Sequence, residues 1–191
     1  HVFFAAGLLQ AKPEDETIKT AALLLGGKSP EELSWKDTLA LGNRIELTVL
    51  WPEHTASDGG NEESICLGLG YKADDREQAQ MRMLLTGDAE SPQLESLLAT
   101  EGDINFDIIK VGHHGSKDAV TETQLERMGC QLALISVGKD NRYGHPTPET
   151  LSALNDAEVA VYRTDLNGDI ILRFERESFF VRCDTMATQA L

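Results

Sequence analysis

Cysteine, aromatic side chains and positive charge are all scarce in this sequence, and it contains no long apolar run. The three cysteines, Cys66, Cys130 and Cys183, lie far apart and form no CxxC pair. Their number and spacing suggest neither a thiolate zinc site nor a disulfide framework. Cys66 and Cys130 adjoin apolar segments, so we expect both in the core. No apolar stretch approaches the ~18–20 residues needed to span a bilayer, which predicts no transmembrane segment in this chain.

The charge is strongly negative, with 32 acidic residues against 17 basic ones and a net charge of −15. Proteins that bind nucleic acid tightly usually carry excess positive charge, because an acidic surface repels phosphate. The balance therefore disfavours a static DNA-binding protein. It disfavours a nuclease only mildly, since metal ions and a few local cations can dominate a cleft. The length of 191 residues predicts a single domain over 1–191, and the 41% of hydrophobic residues suffices for its core.

Apolar segments of strand and helix length alternate along the chain, which predicts an α/β fold. The apolar spacing predicts a helix over His1–Gln10, and Ser29 followed by Pro30 resembles a second helix start. Further helices are predicted over Ser91–Thr100, Thr121–Met128 and Pro148–Asp156. Strands are predicted over Arg44–Leu50, Ser64–Tyr71, Met81–Leu85, Phe106–Val111, Leu132–Val137, Val159–Arg163, Asp169–Phe174 and Phe179–Arg182. Polar loops follow several of these strands, and sites tend to lie in such loops.

The loop after Met81–Leu85 ends in Asp88, which a glycine precedes. A carboxylate just past a buried strand can point into a cleft, where its oxygens can bridge two divalent cations. A plainer interpretation is a turn aspartate that caps the helix beginning at Ser91.

The loop after Phe106–Val111 carries the adjacent histidines His113 and His114. Neighbouring residues of an extended backbone point to opposite sides, so we expect at most one of them to bind a given metal. The other can contact a phosphate oxygen or protonate a leaving group. Gly115 and Ser116 would let backbone N–H groups approach an oxyanion. Alternatively, both histidines are solvated loop residues.

The loop after Leu132–Val137 contains His145, whose backbone the following Pro146 restricts to extended forms. In the same loop, Arg142 can make bidentate contacts to phosphate. Taken alone, His145 could be an ordinary loop histidine. Because metal-type ligands follow three separate strands, the three loops together favour a metallohydrolase cleft.

A set of motifs in fixed order extends from Asn61 to Ile171. They are Asn61-Glu62-Glu63-Ser64, Leu84-Leu85-Thr86-Gly87-Asp88, Asp107-Ile108-Ile109-Lys110-Val111-Gly112-His113-His114-Gly115-Ser116-Lys117, Ile135-Ser136-Val137-Gly138, Asn141-Arg142-Tyr143-Gly144-His145-Pro146 and Tyr162-Arg163-Thr164-Asp165. In this combination the chain resembles the ComEC-type branch of the metallo-β-lactamase superfamily. The resemblance implies an αββα sandwich, with its N-terminal strands expected to be missing from this chain.

The resemblance also implies roles for individual residues. The expected metal ligands are His1, Asp88, His114 and His145, the expected catalytic residues His113, His114 and Lys110, and the expected substrate-binding residues Ser116, Asn141 and Arg142. Asp88 would bridge metals, but the motif does not decide which of His113 and His114 is a ligand. Asn61 occupies the place of the superfamily's mid-domain histidine ligand, and His54 is a possible substitute for it.

The function implied by the resemblance is metal-dependent hydrolysis of phosphodiesters by a nuclease domain of a DNA-uptake protein. One or two zinc or manganese ions would serve it. Its partners would be transient single-stranded DNA and the membrane channel of its parent, with this chain as a soluble domain of a bacterial inner-membrane protein. The superfamily's His-x-His-x-Asp-His motif is absent here, so we expect the chain alone to be weakly active at best. That absence and the negative charge also support an alternative, a non-catalytic module that binds or scaffolds in the uptake machinery.

Overall fold

A seven-stranded mixed sheet forms the centre of the computed structural model, which describes residues 3–5, 10, 13–14, 16–26, 31–54, 60–73, 79–102, 104–176 and 178–185. The sheet has the order β3-β4-β5-β6-β7-β8-β9. Its strands are β3 (Thr38–Leu41), β4 (Ile45–Trp51), β5 (Cys66–Tyr71), β6 (Met81–Leu85), β7 (Ile108–Lys110), β8 (Leu132–Ile135) and β9 (Ala160–Arg163). Two small sheets accompany it, one of β1 (Phe3–Ala5) with β2 (Glu31–Leu33) and one of β10 (Ile170–Glu175) with β11 (Ser178–Cys183).

Short helices connect the strands of the second half of the sheet. The described α-helices are α1 (Glu16–Leu24), α2 (Ser91–Glu101), α3 (Glu122–Met128), α4 (Pro148–Asp156) and α5 (Thr164–Asn167), with 3₁₀ turns at Asn61–Glu63 and Gly112–Gly115. β3 to β6 pair antiparallel, whereas β6 to β9 pair parallel through crossovers that contain α2, α3 and α4. Since the carboxyl ends of parallel strands meet at one edge, the loops after β6, β7 and β8 emerge side by side.

Alternate residues of the central strands face two different layers, as the two-residue period of a strand requires. Leu84, Ile109 and Ala133 join the main core together with apolar residues of α2, α3 and α4. Met83, Ile108 and Leu132 form the opposite core, against which the β10–β11 hairpin packs. The described chain is therefore layered as helices, sheet and hairpin, and the predicted α/β class is confirmed.

The N-terminal predictions are wrong where the structure can be compared with them. The helix predicted over His1–Gln10 is replaced at Phe3–Ala5 by strand β1, which pairs parallel with β2. Ser29 and Pro30, where a second helix start was predicted, lie outside the described residues. The residues directly after them form strand β2 instead of a helix. Apolar spacing cannot separate a helix from a buried strand in so short a run. At Phe3–Ala5 the pairing with a distant segment determines that the backbone is a strand. The sequence analysis also did not predict β3 or α5.

The prediction that Cys66 and Cys130 lie in the core is confirmed. Cys66 and Cys130 are buried and free, and burial raises the pKa of each thiol to about 12. Both thiols therefore stay protonated at neutral pH and act as small apolar groups. None of the helices within the described ranges combines the length and apolarity that crossing a membrane requires.

Candidate metallohydrolase site

Main-chain hydrogen bonds tie together the three loops that follow β6, β7 and β8. The His113 N–H donates to the Gly87 carbonyl at 3.2 Å, which joins the second loop to the first. The Thr147 N–H donates to the Gly115 carbonyl at 2.9 Å, which joins the third loop to the second. The residues predicted from the separate motifs therefore lie in one continuous structure at the edge of the sheet.

The two adjacent histidines do not have the extended backbone that the sequence suggested. His113 and His114 form a tight 3₁₀-type turn with left-handed φ angles of 43° and 56°. Such a conformation costs on the order of 1–3 kcal/mol for a residue other than glycine, and it persists only where the surroundings impose it. The expectation that the two side chains simply alternate across a strand is wrong, and hydrogen bonds distinguish them instead.

His113 is held by a carboxylate. Its Nδ1 lies 2.8 Å from Glu90 Oε1, and the Ser116 hydroxyl donates to the same oxygen at 2.6 Å. These contacts, led by the Ser116 hydrogen bond, lower the pKa of Glu90 despite its partial burial. An ionised Glu90 can only accept, so Nδ1 of His113 carries the proton, and in the neutral ring Nε2 carries none. Asn61 lies 3.3 Å from the same Nδ1, and its amide oxygen suits that position better than its nitrogen.

His114 is held by a carbonyl instead. Its Nδ1 donates to the Ser136 carbonyl oxygen at 2.6 Å, just past the end of β8. This bond assigns the tautomer and leaves the Nε2 lone pair available. Histidines that bind metals commonly make such a second hydrogen bond through their other nitrogen. The arrangement therefore suits His114 as a ligand.

His145 lies beside His113, with ring centroids 5.7 Å apart. Its Nδ1 is buried, and no described atom forms a hydrogen bond with it. Asn141 braces the loop, because its amide accepts from the His145 N–H at 3.0 Å and donates to the His145 carbonyl at 2.6 Å. An unsatisfied buried nitrogen is costly and calls for an explanation, which a metal ion at Nδ1 would supply.

Asp88 and Lys110 form the charged part of the site. The Asp88 N–H donates to the Ser64 hydroxyl at 3.3 Å, and Lys110 Nζ donates to the Gly87 carbonyl at 3.4 Å. Burial lowers the pKa of Lys110, and the Asp88 carboxylate partly offsets that shift. The Lys110 ammonium group thus lies close enough to the Asp88 carboxylate for their opposite charges to interact.

The described residues fit a divalent metal only in part. The hydrogen bonds described above leave His114 Nε2 and His145 Nδ1 without a partner, and both are nitrogen atoms of the kind that bind metals. Asp88 carries a carboxylate on the first of the same three loops. Within the described ranges, however, no three His, Cys, Asp or Glu side chains are grouped closely enough to hold an ion. His1, the fourth expected ligand, lies outside the described residues.

The three expected substrate-binding residues differ in their exposure and in their contacts. Ser116 is buried and its hydroxyl is committed to Glu90, whereas Asn141 is committed to the backbone of His145. Arg142 is exposed and packs on Tyr143, so its guanidinium can reach solvent. The possible substitute His54 contacts Trp51 and lies 4.0 Å from Glu63.

Two residues of this region were missed by the motif reasoning. Glu90 follows the Thr86-Gly87-Asp88 motif by two positions, and only its contact with a loop 23 residues away reveals its role. Tyr143 belongs to the motif that ends in His145 and Pro146, but the motif implies no role for it. Its exposure beside His145 is visible only in three dimensions.

Gly112→Ala is expected to destabilise the protein and displace the histidine turn. A methyl group at Gly112 would overlap the Ala89 carbonyl oxygen, which is backbone and cannot rotate away. Overpacking of this kind typically costs about 1–3 kcal/mol, measurable as a lower urea midpoint. Gly138→Ala is the matched control, because nothing lies within 4 Å of the added methyl group. Equal midpoints for the two variants would contradict the close packing of the turn.

The stability conferred by Glu90 is expected to depend on pH. Its pKa is lowered on folding, so its contribution is present above the ordinary glutamate pKa and lost as pH falls through the folded-state value. Acidification from about pH 7 to about pH 3 should therefore destabilise the wild type more than Glu90→Gln. Urea unfolding at both pH values measures the difference. Glu126→Gln, on the exposed side of α3, is the control, and an identical pH dependence of the wild type and Glu90→Gln would refute the expectation.

The comparisons with known proteins give relatives of much greater length. ComE operon protein 3 of Bacillus subtilis is 33% identical over 165 residues, which are 86% of this chain and 20% of that protein. Recombination protein 2 of Haemophilus influenzae is 31% identical over 130 residues, 68% of this chain and 15% of that protein. Competence protein ComA of Neisseria gonorrhoeae is 31% identical over 87 residues, 45% of this chain and 13% of that protein. The chain thus spans a fifth or less of the length of these relatives.

Two further comparisons add little. No family model matches the chain. A solved structure from Parabacteroides distasonis, provisionally assigned there as a metal-dependent hydrolase, gives a TM-score of 0.46 at 15% identity. The match covers 78% of this chain and 62% of that one. At this level of similarity nothing follows about the chemistry of this chain.

Proposed function

Over the segments that it shares with these relatives, the chain belongs to the ComEC family of competence proteins, and on that premise we propose that it hydrolyses phosphodiester bonds of DNA as a nuclease domain of a DNA-uptake protein. The observation that carries the proposal is the meeting of three loops at one sheet edge. Two of their histidines, His113 and His145, have rings 5.7 Å apart. The buried Nδ1 of His145 has no described hydrogen-bond partner.

In this proposal the two adjacent histidines have different tasks. His114, with Nδ1 bound to a carbonyl, is a metal ligand through Nε2, together with Asp88 and His145. His113, with Nδ1 bound to Glu90, donates a proton from Nε2 of its doubly protonated ring to the leaving oxygen. When bound, one or two zinc or manganese ions supply positive charge at the phosphate and a more acidic water molecule.

Cations and neutral groups of the chain would hold the substrate. Lys110 lies beside Asp88 and offers positive charge on the sheet side of the site. Arg142 is exposed on the loop side and can bind a phosphate with two N–H groups. Ser116 and Asn141 support the site through Glu90 and His145, so their contribution to substrate binding is indirect.

The wider assignments belong to the same proposal. We assign 1–191 to a single domain that works on single-stranded DNA during its transient passage, beside the membrane channel of a longer parent protein. The parent would be a bacterial inner-membrane protein. The short span shared with the relatives is consistent with one domain among several.

Metal content and cleavage of single-stranded DNA by two proteins test this proposal. One is the 191-residue chain, and the other is the same chain extended upstream of His1. A stable catalytic metal needs about three protein ligands, and the described residues do not group three. We therefore expect weak activity from the short chain and metal-dependent cleavage from the extended one.

The lack of a three-ligand group among the described residues also favours a second candidate, a non-catalytic module that binds or scaffolds in DNA uptake. The net charge of −15 is consistent with it. An extended protein that binds no metal and cleaves no DNA, while remaining folded, would support this candidate against the nuclease. Robust cleavage by the short chain would instead show that residues upstream are not needed.

A further inference from the structure

Tyr143 is a large aromatic residue that remains 69% exposed at the rim of the candidate site. Its ring lies nearly parallel to that of His145, at an interplanar angle of 16° with centroids 6.1 Å apart. An aromatic side chain so open to water adds little to the stability of the core, because most of its apolar surface stays hydrated. Its position beside a site histidine therefore points to a task outside folding.

Arg142 is the second component of this surface. Its guanidinium carbon lies 5.3 Å from the centroid of the Tyr143 ring, and Nη2 donates to the Tyr143 hydroxyl at 3.3 Å. Atoms in full stacking contact would approach to about 3.5–4.0 Å. Neither Arg142 nor His145 approaches the centre of the ring that closely, so much of the ring is open to a further planar group.

We propose that Tyr143 is a stacking platform for an unpaired nucleobase, with Arg142 contacting a phosphate of the same strand. This inference rests on the proposed function and names the part of the substrate that is recognised. Every nucleobase has a flat π-face, so stacking on an aromatic ring tolerates any sequence.

The negative charge of the chain gives stacking a particular importance. With a net charge of −15, the chain as a whole repels the DNA backbone at long range, so short-range contacts have to supply the affinity. Base stacking on an aromatic side chain contributes about 1–3 kcal/mol and does not depend on net charge. Bases inside a duplex are already stacked and paired, so this platform selects single strands.

Binding of labelled oligonucleotides to the 191-residue chain, in the presence of a chelator that prevents cleavage, tests the proposal. The probes are oligothymidylate and an abasic strand of the same length and charge, measured by fluorescence anisotropy. The wild type should bind oligothymidylate more tightly. Tyr143→Leu should lower that affinity by about 5- to 150-fold, the equivalent of one lost stacking contact, and should leave binding of the abasic strand unchanged.

Two further variants make the result specific. Tyr143→Phe keeps the ring and should retain the affinity for oligothymidylate. Phe180→Leu removes an aromatic ring that is 55% exposed on the β10–β11 hairpin, and should have no effect. Equal affinity of the wild type for the two strands, no detectable binding of either, or an unchanged affinity of Tyr143→Leu would overturn the proposal. Base-dependent binding without any hydrolysis by the upstream-extended protein would overturn the nuclease function and support the platform.

Discussion

Asp88→Asn in the upstream-extended protein is expected to lower metal content and DNA hydrolysis together, each by at least ~100-fold. The substitution removes a negative charge from between the proposed cations while preserving the shape of the side chain. Loss of an outer-shell partner alone typically costs 10–100-fold in metal affinity or activity, and a bridging ligand should cost more. The Asp88 N–H bond to Ser64 involves the backbone, so the loop should keep its position. Elemental analysis beside a cleavage rate measures both effects.

Asp156→Asn provides the matched control for this experiment. Asp156 is an exposed carboxylate at the end of α4, where it accepts from Ser152. It undergoes the same change of charge outside the three site loops, and metal content and rate should remain those of the wild type. An Asp88→Asn protein with undiminished metal and activity would remove Asp88 from the ligand set.

His113→Ala and His114→Ala are expected to give different defects. His113→Ala should retain metal and lose about 10²–10⁴-fold in turnover, the usual contribution of a general acid. His114→Ala should lose metal and activity together. The difference follows from their Nδ1 partners, which are the Glu90 carboxylate for His113 and the Ser136 carbonyl for His114. Metal stoichiometry beside cleavage rate for both variants checks this assignment.

His54→Ala serves as the histidine control, because the described contacts of His54 are with Trp51 and Glu63. It should preserve both metal and rate. If His113→Ala lost the metal and His114→Ala kept it, the two roles would have to be exchanged. If both variants kept full metal and full activity, the adjacent histidines would be ordinary loop residues and the proposed mechanism would be wrong.

The second half of the fold could be predicted from the sequence, because each strand is an apolar run that ends in polar loop residues. The helix over Pro148–Asp156 and the strand over Met81–Leu85 were predicted with the bounds that the structure has. The parallel pairing of β6, β7 and β8 then brings the loops that carry the motifs to one edge. The first strands could not be predicted in this way, since β1 and β2 depend on pairing across more than twenty residues.

Sequence motifs identify the residues of the candidate site but do not determine their geometry. Motifs identified His113 and His114, but their left-handed turn depends on tight packing around Gly112 and on the bond to Gly87. The contact between Glu90 and His113 joins two loops and has no local signal in the sequence. The tautomers that distinguish the histidines depend on such contacts, and therefore only the structure could assign them.

The bonds between the loops have a consequence for divergence. The His113 N–H to Gly87 carbonyl bond and the Thr147 N–H to Gly115 carbonyl bond join main-chain atoms, which every amino acid with an N–H group possesses. Substitutions around these positions can therefore accumulate without moving the histidines, provided that Gly112 and Gly115 are kept, because a side chain at either glycine would overlap neighbouring atoms. Related proteins could in this way differ in the side chains at the rim while the three loops after β6, β7 and β8 keep their positions relative to one another.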